Sequence, residues 1–580
     1  MTARHLHIAN SWAVIDRPYR ARQQHIYKVA VRVAFSCKLP RLSVKIGNTP
    51  KLPEVSMRHI SLSLLLVFLL LPASCRSGRQ KQADAKRFNI METTIEGVQA
   101  AYKSGQLTAR QLVQMYLDRI EAYDQKGPAI NSIITLNKKA LEEADKLDAA
   151  FKQSGFVGPL HGIPIIIKDQ VDALGFPTTL GSILMKDYYP ERDAFAIGKL
   201  RKAGAIIVGK TTLGEFGGGN AFGSLFGATR NPYALDRTPG GSSGGTGAGL
   251  ASNFATVGVG EEGSASIRRP STWNSLVGMH PSAGFVSRTG MWDGWPALHT
   301  SLGPMARTVT DLARLLEVMV GYDPDDPLTA APYGNIPPNF TGFLDKNGLK
   351  GARLGILREP IGGGDPDSED FKKVSEVFNK AIDELKTAGA ELVDPIVIPN
   401  ARALMAKRTE GPYLDQAAKL YLKSPNAPFH TRQDIARQPG YDKVLMRGKT
   451  IVDPIDERKY YEHLQAREEL MFNVLKVMAD NRIDAIVYKS IELQPQLLSR
   501  GPDAPNPGVP TMSTFLAFVP TITVPAGFTS DGLPTGITFQ GRPYSDGTLI
   551  KLAYAYEQAT HHRKPPSSVP DLNSSEENEK

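Results

Sequence analysis

The chain has 580 residues, of which 41% are hydrophobic and 22% charged, a composition that is typical of globular proteins and excludes disorder as the main state. Its net charge of +9 lies mainly in residues 1–56, and the remaining +1 argues against a surface that binds nucleic-acid phosphates. Two cysteines exclude a disulfide framework and a cysteine-based zinc site.

Residues 57–75 resemble a secretory signal, with a basic start, an apolar run over 60–71 and a small-residue end. The apolar run is too short to cross a membrane. Its ending Leu-Pro-Ala-Ser-Cys resembles a bacterial lipoprotein signal, in which Cys75 becomes the lipidated first residue of the mature chain. We therefore expect an exported protein, anchored by lipid in the cell envelope or periplasm.

A signal is read only at the N-terminus of a chain, which has a consequence for residues 1–56. We expect translation to start at Met57 and residues 1–56 to be absent from the mature protein. The alternative is a soluble protein with a basic N-terminal arm and a short buried helix in place of the signal.

A polar linker over residues 76–89 is expected to precede a single large domain over 90–562. Thr94 can cap a first helix, and Thr108 forms a capping box with Gln111 at the start of a second. A third helix is predicted over 140–151.

A short isoleucine-rich strand is predicted over 163–167, and it ends at Lys168 and Asp169. A lysine at the end of a buried strand is a candidate for catalysis. The alternative is a lysine that extends its ammonium group to solvent, which is the commoner case.

Two familiar motifs are excluded by their context. Residues 204–211 match the spacing of a nucleotide-binding P-loop, but the four residues between the glycines, Ala-Ile-Ile-Val, form a strand and not a loop. Residues 241–245 match the nucleophile elbow of α/β-hydrolases, but a polar loop with a proline, and not a strand, precedes Ser243.

The stretch 237–269 places two serine-containing loops on either side of an apolar run. Pairs of glycines flank Ser242 and Ser243 and allow the backbone to approach a ligand closely. The second loop ends at Ser266.

Six segments occur in a fixed order: LHGIPIIIKD, AGAIIVGKTTLGEF, FGATRNPY, RTPGGSSGGTGAG, SIRRPS and GPMARTVTD. In this order they resemble the amidase signature family of serine hydrolases, and residues 519–546 are similar to the closing segment of that family. The resemblance covers about residues 90–560. It implies an α/β fold, an α/β/α sandwich around a large mixed, mostly parallel twisted sheet.

The resemblance also implies a Ser-Ser-Lys triad. By motif, Lys168 is the base and Ser266 is the nucleophile. Ser242, which follows a cis peptide in the family, bridges the lysine and the nucleophile. A lysine of ordinary pKa is almost fully protonated at neutral pH, so burial must lower the pKa of Lys168. In the implied reaction Lys168 accepts the Ser266 proton through Ser242, Ser266 forms an acyl-enzyme with the amide, and water releases the acid.

Backbone amides of the loop that ends at the nucleophile form the implied oxyanion hole: Gly263, Ser264, Ala265 and Ser266. The family usually reads Gly-Thr-Asp/Glu-x-Gly/Asp-Gly-Ser, whereas residues 260–266 read Gly-Glu-Glu-Gly-Ser-Ala-Ser. If the position of Ala265 needs a positive φ, alanine shifts the amides and weakens catalysis. Supporting roles are expected for Ser243, for Glu262 as a hydrogen-bond partner of the loop, and for Arg268 as its brace.

The rest of the chain gives fewer indications of function. Strands and helices are predicted to alternate over 353–489, and the proline-rich segment 495–512 is a candidate rim of the acyl pocket. Three tryptophans could line the entrance, although aromatic residues more often pack in a core: Trp273, Trp292 and Trp295. Residues 563–580 are predicted to be disordered.

The predicted function is hydrolysis of the C–N bond of linear carboxylic amides. Two alternatives remain: a glutamine-hydrolysing subunit of a tRNA amidotransferase, which an exported protein would not serve, and a catalytically weak member of the family that binds amides. The expected partner is a small-molecule amide, with a homodimer allowed and with no nucleic acid, cofactor or metal.

Overall fold

A computed structural model describes residues 88–298, 300–445 and 454–572. The expected upstream segment, the signal with Cys75 and all but the last two residues of the linker lie outside the described residues, as do residues 573–580. In the part of the chain that is described, no helix combines the length and the apolar character needed to cross a membrane.

The strands of the described residues form one large sheet and one small hairpin. They are β1 Ile133–Leu136, β2 Pro164–Lys168, β3 Ile206–Thr211, β4 Phe222–Gly223, β5 Gly227–Ala228, β6 Val257–Glu262, β7 Val277–His280, β8 Ser301–Ala306, β9 Arg353–Leu357, β10 Glu391–Ile396, β11 Ala485–Lys489, β12 Thr521–Phe528 and β13 Pro534–Gln540. Strands β4 and β5 make the hairpin, and the other strands make the sheet.

The α-helices of the described residues precede, separate and follow these strands. They are α1 Ile95–Ser104, α2 Ala109–Ile120, α3 Ala140–Ser154, α4 Phe195–Lys202, α5 Gly244–Ala251, α6 Arg268–Trp273, α7 Val309–Met319, α8 Glu369–Thr387, α9 Ala401–Met405, α10 Tyr413–Tyr421, α11 Arg432–Ile435, α12 Glu457–Asp480, α13 Met512–Leu516 and α14 Asp546–Thr560. The predicted caps are present, since Thr94 caps α1 and the Thr108–Gln111 capping box starts α2.

The eleven strands of the sheet follow the order β1-β3-β2-β6-β8-β7-β12-β13-β11-β9-β10. This confirms the large mixed sheet of an α/β fold. Parallel pairing is confined to β3-β2-β6 and β11-β9-β10, and six of the ten pairings are antiparallel. The sheet is therefore mixed, as expected, but not mostly parallel. Short connections such as the turn between β12 and β13 can join only antiparallel neighbours.

Helices cover both faces of the sheet, as successive residues of β2 show. Ile165 and Ile167 pack into a core with residues of α7 and α14, whereas Ile166 packs into a second core with Leu250 of α5. Side chains alternate along a strand, so Lys168 lies on the same face as Ile166, towards α5. The strand thus directs the lysine to the helix that follows the Ser242 loop.

Helix α5 is rich in glycine because it packs tightly against the sheet. A Cβ added to Gly245 would lie 2.5 Å from the carbonyl oxygen of Thr212 and 2.6 Å from that of Ser132. Such contacts exclude any side chain, so at this position the glycine serves close helix packing and not the approach of a ligand.

Residues 563–572, which were expected to be disordered, are instead packed against the domain. Arg563 donates hydrogen bonds to both carboxylate oxygens of Glu92 at 2.7 and 2.9 Å, and Val569 is fully buried. The carbonyl groups of Val569 and Pro570 accept hydrogen bonds from the buried Arg119. The prediction was wrong because composition does not show that this segment supplies acceptors to an arginine far away in the sequence.

Candidate active site

The sheet brings the candidate site residues to one edge. Strands β2 and β6 are parallel neighbours, so Lys168 at the end of β2 lies beside the last residues of β6, which precede the loop that ends at Ser266. Residues that follow the carboxyl ends of parallel strands meet at the same edge of a sheet, which is where α/β proteins place their ligands. The loop before α5 supplies the third part of the site.

Lys168 contacts the first of the two loop serines. Its Nζ donates hydrogen bonds to Ser242 Oγ at 2.6 Å and to Glu261 Oε2 at 2.7 Å, with the Glu261 carbonyl oxygen at 3.3 Å. The peptide between Gly241 and Ser242 is cis. Lys168 is fully buried, and this burial lowers its pKa against the opposing effect of Glu261. The structure therefore places an amine whose charge is disfavoured directly against a hydroxyl group.

The loop that ends at Ser266 presents backbone N–H groups without partners. Within the described residues, four successive N–H groups donate no hydrogen bond: those of Gly263, Ser264, Ala265 and Ser266. Ser266 keeps 8% of its surface exposed, and its hydroxyl group has no hydrogen-bond partner among the described residues. Adjacent free N–H groups beside an accessible hydroxyl form an arrangement that can receive the oxygen of a polarised carbonyl group.

The carbonyl groups of the same loop are all held in place. Arg408 donates to the Gly263 oxygen at 3.1 Å, and Arg268 and Thr514 donate to the Ser264 oxygen at 2.7 and 3.0 Å. Backbone N–H groups donate to the remaining two oxygens, that of Arg269 to Ala265 and that of Ser243 to Ser266. With every carbonyl fixed, the loop has little freedom to turn its N–H groups away.

Ser243 ties the two loops together. Its hydroxyl group donates to the Glu261 carbonyl oxygen at 3.0 Å and accepts from the Glu261 N–H at 3.3 Å. Its own N–H donates to the Ser266 carbonyl oxygen at 3.2 Å. These contacts are consistent with a supporting role and leave Ser242 as the serine that contacts the lysine.

A buried ion pair between Glu262 and Arg268 holds the 263–266 loop in place. Glu262 accepts hydrogen bonds from the N–H groups of Ile267 and Arg268 at 2.9 and 3.0 Å, and Arg268 Nε lies 2.8 Å from its other oxygen. Burial alone would raise the pKa of Glu262, but Arg268 lowers it below the ordinary range. Arg268 also reaches the Pro510 carbonyl oxygen at 3.0 Å, which places part of the candidate rim against the site.

Replacing Arg268 with alanine is expected to reduce the free energy of unfolding by about 3–5 kcal/mol, because Glu262 is left buried and unpaired. Denaturant unfolding measures this change. The control is Arg314→Ala, which removes a partly exposed ion pair with Glu96 and should cost less than about 1 kcal/mol. Equal losses in the two variants would contradict the bracing role of Arg268.

Ala265 adopts an ordinary backbone conformation. Neither it nor any other residue of the 263–266 loop has a positive φ. The expected shift of the amides by alanine therefore has no basis in this backbone, since alanine is strained only in the left-handed region.

Replacing Ala265 with glycine is accordingly expected to change kcat/KM by no more than a few fold. The variant should lose about 0.5–1 kcal/mol of stability, because glycine has more backbone freedom in the unfolded chain. Steady-state kinetics and thermal unfolding measure the two quantities. A large gain in activity would show that alanine does impair the loop.

Three side chains near the site were missed by the sequence interpretation. Arg269 donates to the Gly241 and Gly219 carbonyl oxygens at 2.9 and 2.7 Å and so fixes the loop before Ser242. Arg408 donates to the carbonyl oxygen of Gly263 from a segment for which no sequence pattern indicated a role. Glu261 had a signal, because it stands where the family motif has threonine.

The candidate entrance residues separate into two groups. Trp273 and Trp292 are buried in the interior, where Trp273 donates to the Leu493 carbonyl oxygen and Trp292 packs against Phe216 and Tyr421. Trp295 lines an open pocket of about 620 Å³ together with side chains of α10. The core interpretation therefore holds for the first two tryptophans.

The P-loop spacing over 204–211 has no counterpart in the structure. Residues 206–211 form strand β3, and Lys210 is fully buried, with Nζ 3.1 Å from Asp169 Oδ1. Among the described residues, no group of three or more histidine, cysteine or acidic side chains is placed to hold a metal ion.

Comparisons with known proteins find similar sequences and structures. The Amidase family matches residues 111–550. A probable amidase of Arabidopsis thaliana is 32% identical over 512 residues, which are 83% of this chain and 93% of that protein. One glutamyl-tRNA(Gln) amidotransferase subunit, from Symbiobacterium thermophilum, is 32% identical over 484 residues, 80% and 96% of the two chains. The native peptide amidase of Stenotrophomonas maltophilia has a TM-score of 0.72 and 31% identity, covering 83% of this chain and 99% of its own.

Proposed function

Because this chain belongs to the amidase signature family and is a hydrolase of amide C–N bonds, we propose that it cleaves linear carboxylic amides through a Ser-Ser-Lys triad. The observation that carries the proposal is the 2.6 Å contact between Lys168 Nζ and Ser242 Oγ at a fully buried lysine. Buried lysines of lowered pKa can act as bases at neutral pH.

The proposed reaction begins with the nucleophile. Ser266 Oγ attacks the carbonyl carbon of the amide, while its proton passes to Ser242 and the Ser242 proton passes to neutral Lys168. Negative charge develops on the former carbonyl oxygen, and the free N–H groups of the 263–266 loop stabilise it. Each such donor contributes on the order of 3 kcal/mol to transition-state stabilisation.

In the second half of the proposed reaction, the protons return from Lys168 through Ser242. Ser242 passes a proton from the Lys168 ammonium group to the leaving amine, the C–N bond breaks, and the acyl group remains on Ser266. A water molecule then attacks the ester, and its proton follows the same route through Ser242. The acid leaves and Ser266 regains its proton.

One alternative has support among the relatives. The chain shares 32% identity with one glutamyl-tRNA(Gln) amidotransferase subunit, so glutamine is a candidate amide. The peptide amidase among the structural neighbours makes peptide amides the other candidate. The acyl group of the amide that is hydrolysed distinguishes the two candidates.

A panel of primary amides with varied acyl groups, including peptide amides and glutamine, tests the function through ammonia release. The proposal expects hydrolysis of one or more non-glutamine amides and none by a Lys168→Ala control. Activity on glutamine alone would favour the amidotransferase alternative. Hydrolysis that persists in the control would contradict the triad.

We also propose export and lipid attachment at Cys75, which the pattern of residues 57–75 supports. Mass spectrometry of the membrane fraction should find a mature chain that begins at a lipid-modified Cys75. A mature chain that begins upstream of Cys75 would contradict the proposal.

A further inference from the structure

Glu261 is an acidic residue in direct contact with the proposed base. Its Oε2 lies 2.7 Å from Lys168 Nζ, and the two side chains expose 4% and 0% of their surface. No other acidic side chain of the described residues forms an ion pair or hydrogen bond with Lys168. Position 261 is threonine in the motif of the family that this chain resembles, and a threonine hydroxyl group carries no negative charge that could form an ion pair with an ammonium group.

We propose that Glu261 is a positioning residue for Lys168, which holds Nζ against Ser242 and sets the pH at which the lysine accepts a proton. The inference rests on the proposed role of Lys168 as the base. Glu261 would then be a fourth side chain of the site, beside the three of the proposed triad, and it would act through the lysine and not on the substrate.

The geometry around Nζ carries the first part of the inference. Three acceptors surround it, namely Ser242 Oγ, Glu261 Oε2 and the Glu261 carbonyl oxygen, which match the three N–H bonds of an ammonium group. When the proton arrives, an O–H bond of Ser242 breaks and an N–H bond forms at Nζ, so a cation appears in a site without solvent. The Glu261 carboxylate stabilises that cation until the proton returns to the leaving amine.

The charges around Lys168 and Glu261 support the second part of the inference, which concerns the pH at which the lysine accepts a proton. Glu262 and Asp293 also act electrostatically on Lys168, but Glu262 is neutralised by its ion pair with Arg268. Burial, reinforced by Glu261, raises the pKa of Asp293 to about 7. Further groups act on these two carboxyl groups: Arg432 and Glu410 on Asp293, and Gln170 on Glu261. Burial raises the pKa of Glu261 and the charge of Lys168 opposes that effect. Glu261 is the acidic group in direct contact with Nζ, and an opposite charge at this distance raises the pKa of a lysine.

The pH dependence of covalent labelling tests this role without a known substrate. A fluorophosphonate reacts with an activated serine, so its labelling rate reports how often Lys168 is neutral. In Glu261→Gln the acid limb of the rate–pH profile should move to lower pH by about 1–3 units, because the carboxylate no longer retains the lysine proton. The alkaline plateau should fall, because a less basic amine accepts the serine proton less readily.

Companion variants separate this role from a structural one. Glu261→Asp keeps the charge and should keep the acid limb of the rate–pH profile close to that of the wild type. Glu261→Thr should shift the acid limb in the same direction as Glu261→Gln. If Glu261→Gln does not fold, Glu261→Thr takes its place in the test. Asp169→Asn removes a different buried carboxylate, which pairs with Lys210 and makes no contact with Lys168 Nζ, so its limb should not move.

A rate that falls by the same factor at every pH in Glu261→Gln, with an unmoved limb, would overturn the inference. If the wild type does not label, or if Ser266→Ala still labels, the proposed function itself fails. If labelling requires Ser266 and Lys168 but the limb stays in place, only the role of Glu261 fails.

Discussion

Replacing Ser266 with alanine is expected to lower amide hydrolysis by about 10⁴-fold or more, the scale on which loss of the nucleophile acts in serine hydrolases. The hydroxyl group is the only part removed, and the backbone N–H groups of its loop keep their positions because the loop carbonyls remain held. Substrate binding should therefore persist while kcat collapses. Steady-state kinetics with an amide found in the substrate panel measures both.

The control for this variant is Ser287→Ala. Ser287 is a buried serine that donates to Asp323 and contacts none of the three triad residues, so its loss should leave kcat/KM within a few fold. An equal loss in the two variants would point to general damage to the fold. Activity that survives in Ser266→Ala would remove Ser266 from the mechanism.

Replacing Lys168 with alanine is expected to abolish activity and to destabilise the protein. Without the lysine, no base receives the Ser242 proton, and kcat should fall by about 10³-fold or more. Glu261 is then buried without its partner, which should cost about 3–5 kcal/mol in the free energy of unfolding.

The double variant Lys168→Ala, Glu261→Gln separates these two effects. Removing the second charge should restore much of the lost stability, because no unpaired charge remains buried, while activity stays absent. Denaturant unfolding and ammonia release measure the two outcomes. A double variant that is no more stable than Lys168→Ala would contradict the buried ion pair.

The contact between Lys168 and Ser242 could be predicted because both residues lie in motifs of fixed order. The motifs place Lys168 at a strand end and Ser242 before a glycine-rich helix, and the structure brings these two side chains within hydrogen-bond distance. Local signals such as the capping box at Thr108 and the isoleucine-rich β2 also correspond to observed elements. These features depend on neighbouring residues, which a sequence shows directly.

The features that the sequence did not show depend on contacts between distant residues. Arg408 is 145 residues away from the Gly263 carbonyl group that it holds, and Arg119 is 451 residues away from that of Pro570. No local pattern marks such a pair, because the donors of an arginine can serve any carbonyl group that the fold brings near. The antiparallel centre of the sheet was missed for the same reason, since strand order is a property of the assembled fold.

Peptide mapping of the chain after reaction with a fluorophosphonate tests the central claim most directly. If Ser266 is the nucleophile and Ser242 the proton bridge, fragmentation of the modified peptide places the phosphonyl group on Ser266 itself, and Lys168→Ala prevents the modification. An adduct on Ser242 or Ser243, or no adduct on the folded wild-type chain, would contradict the account.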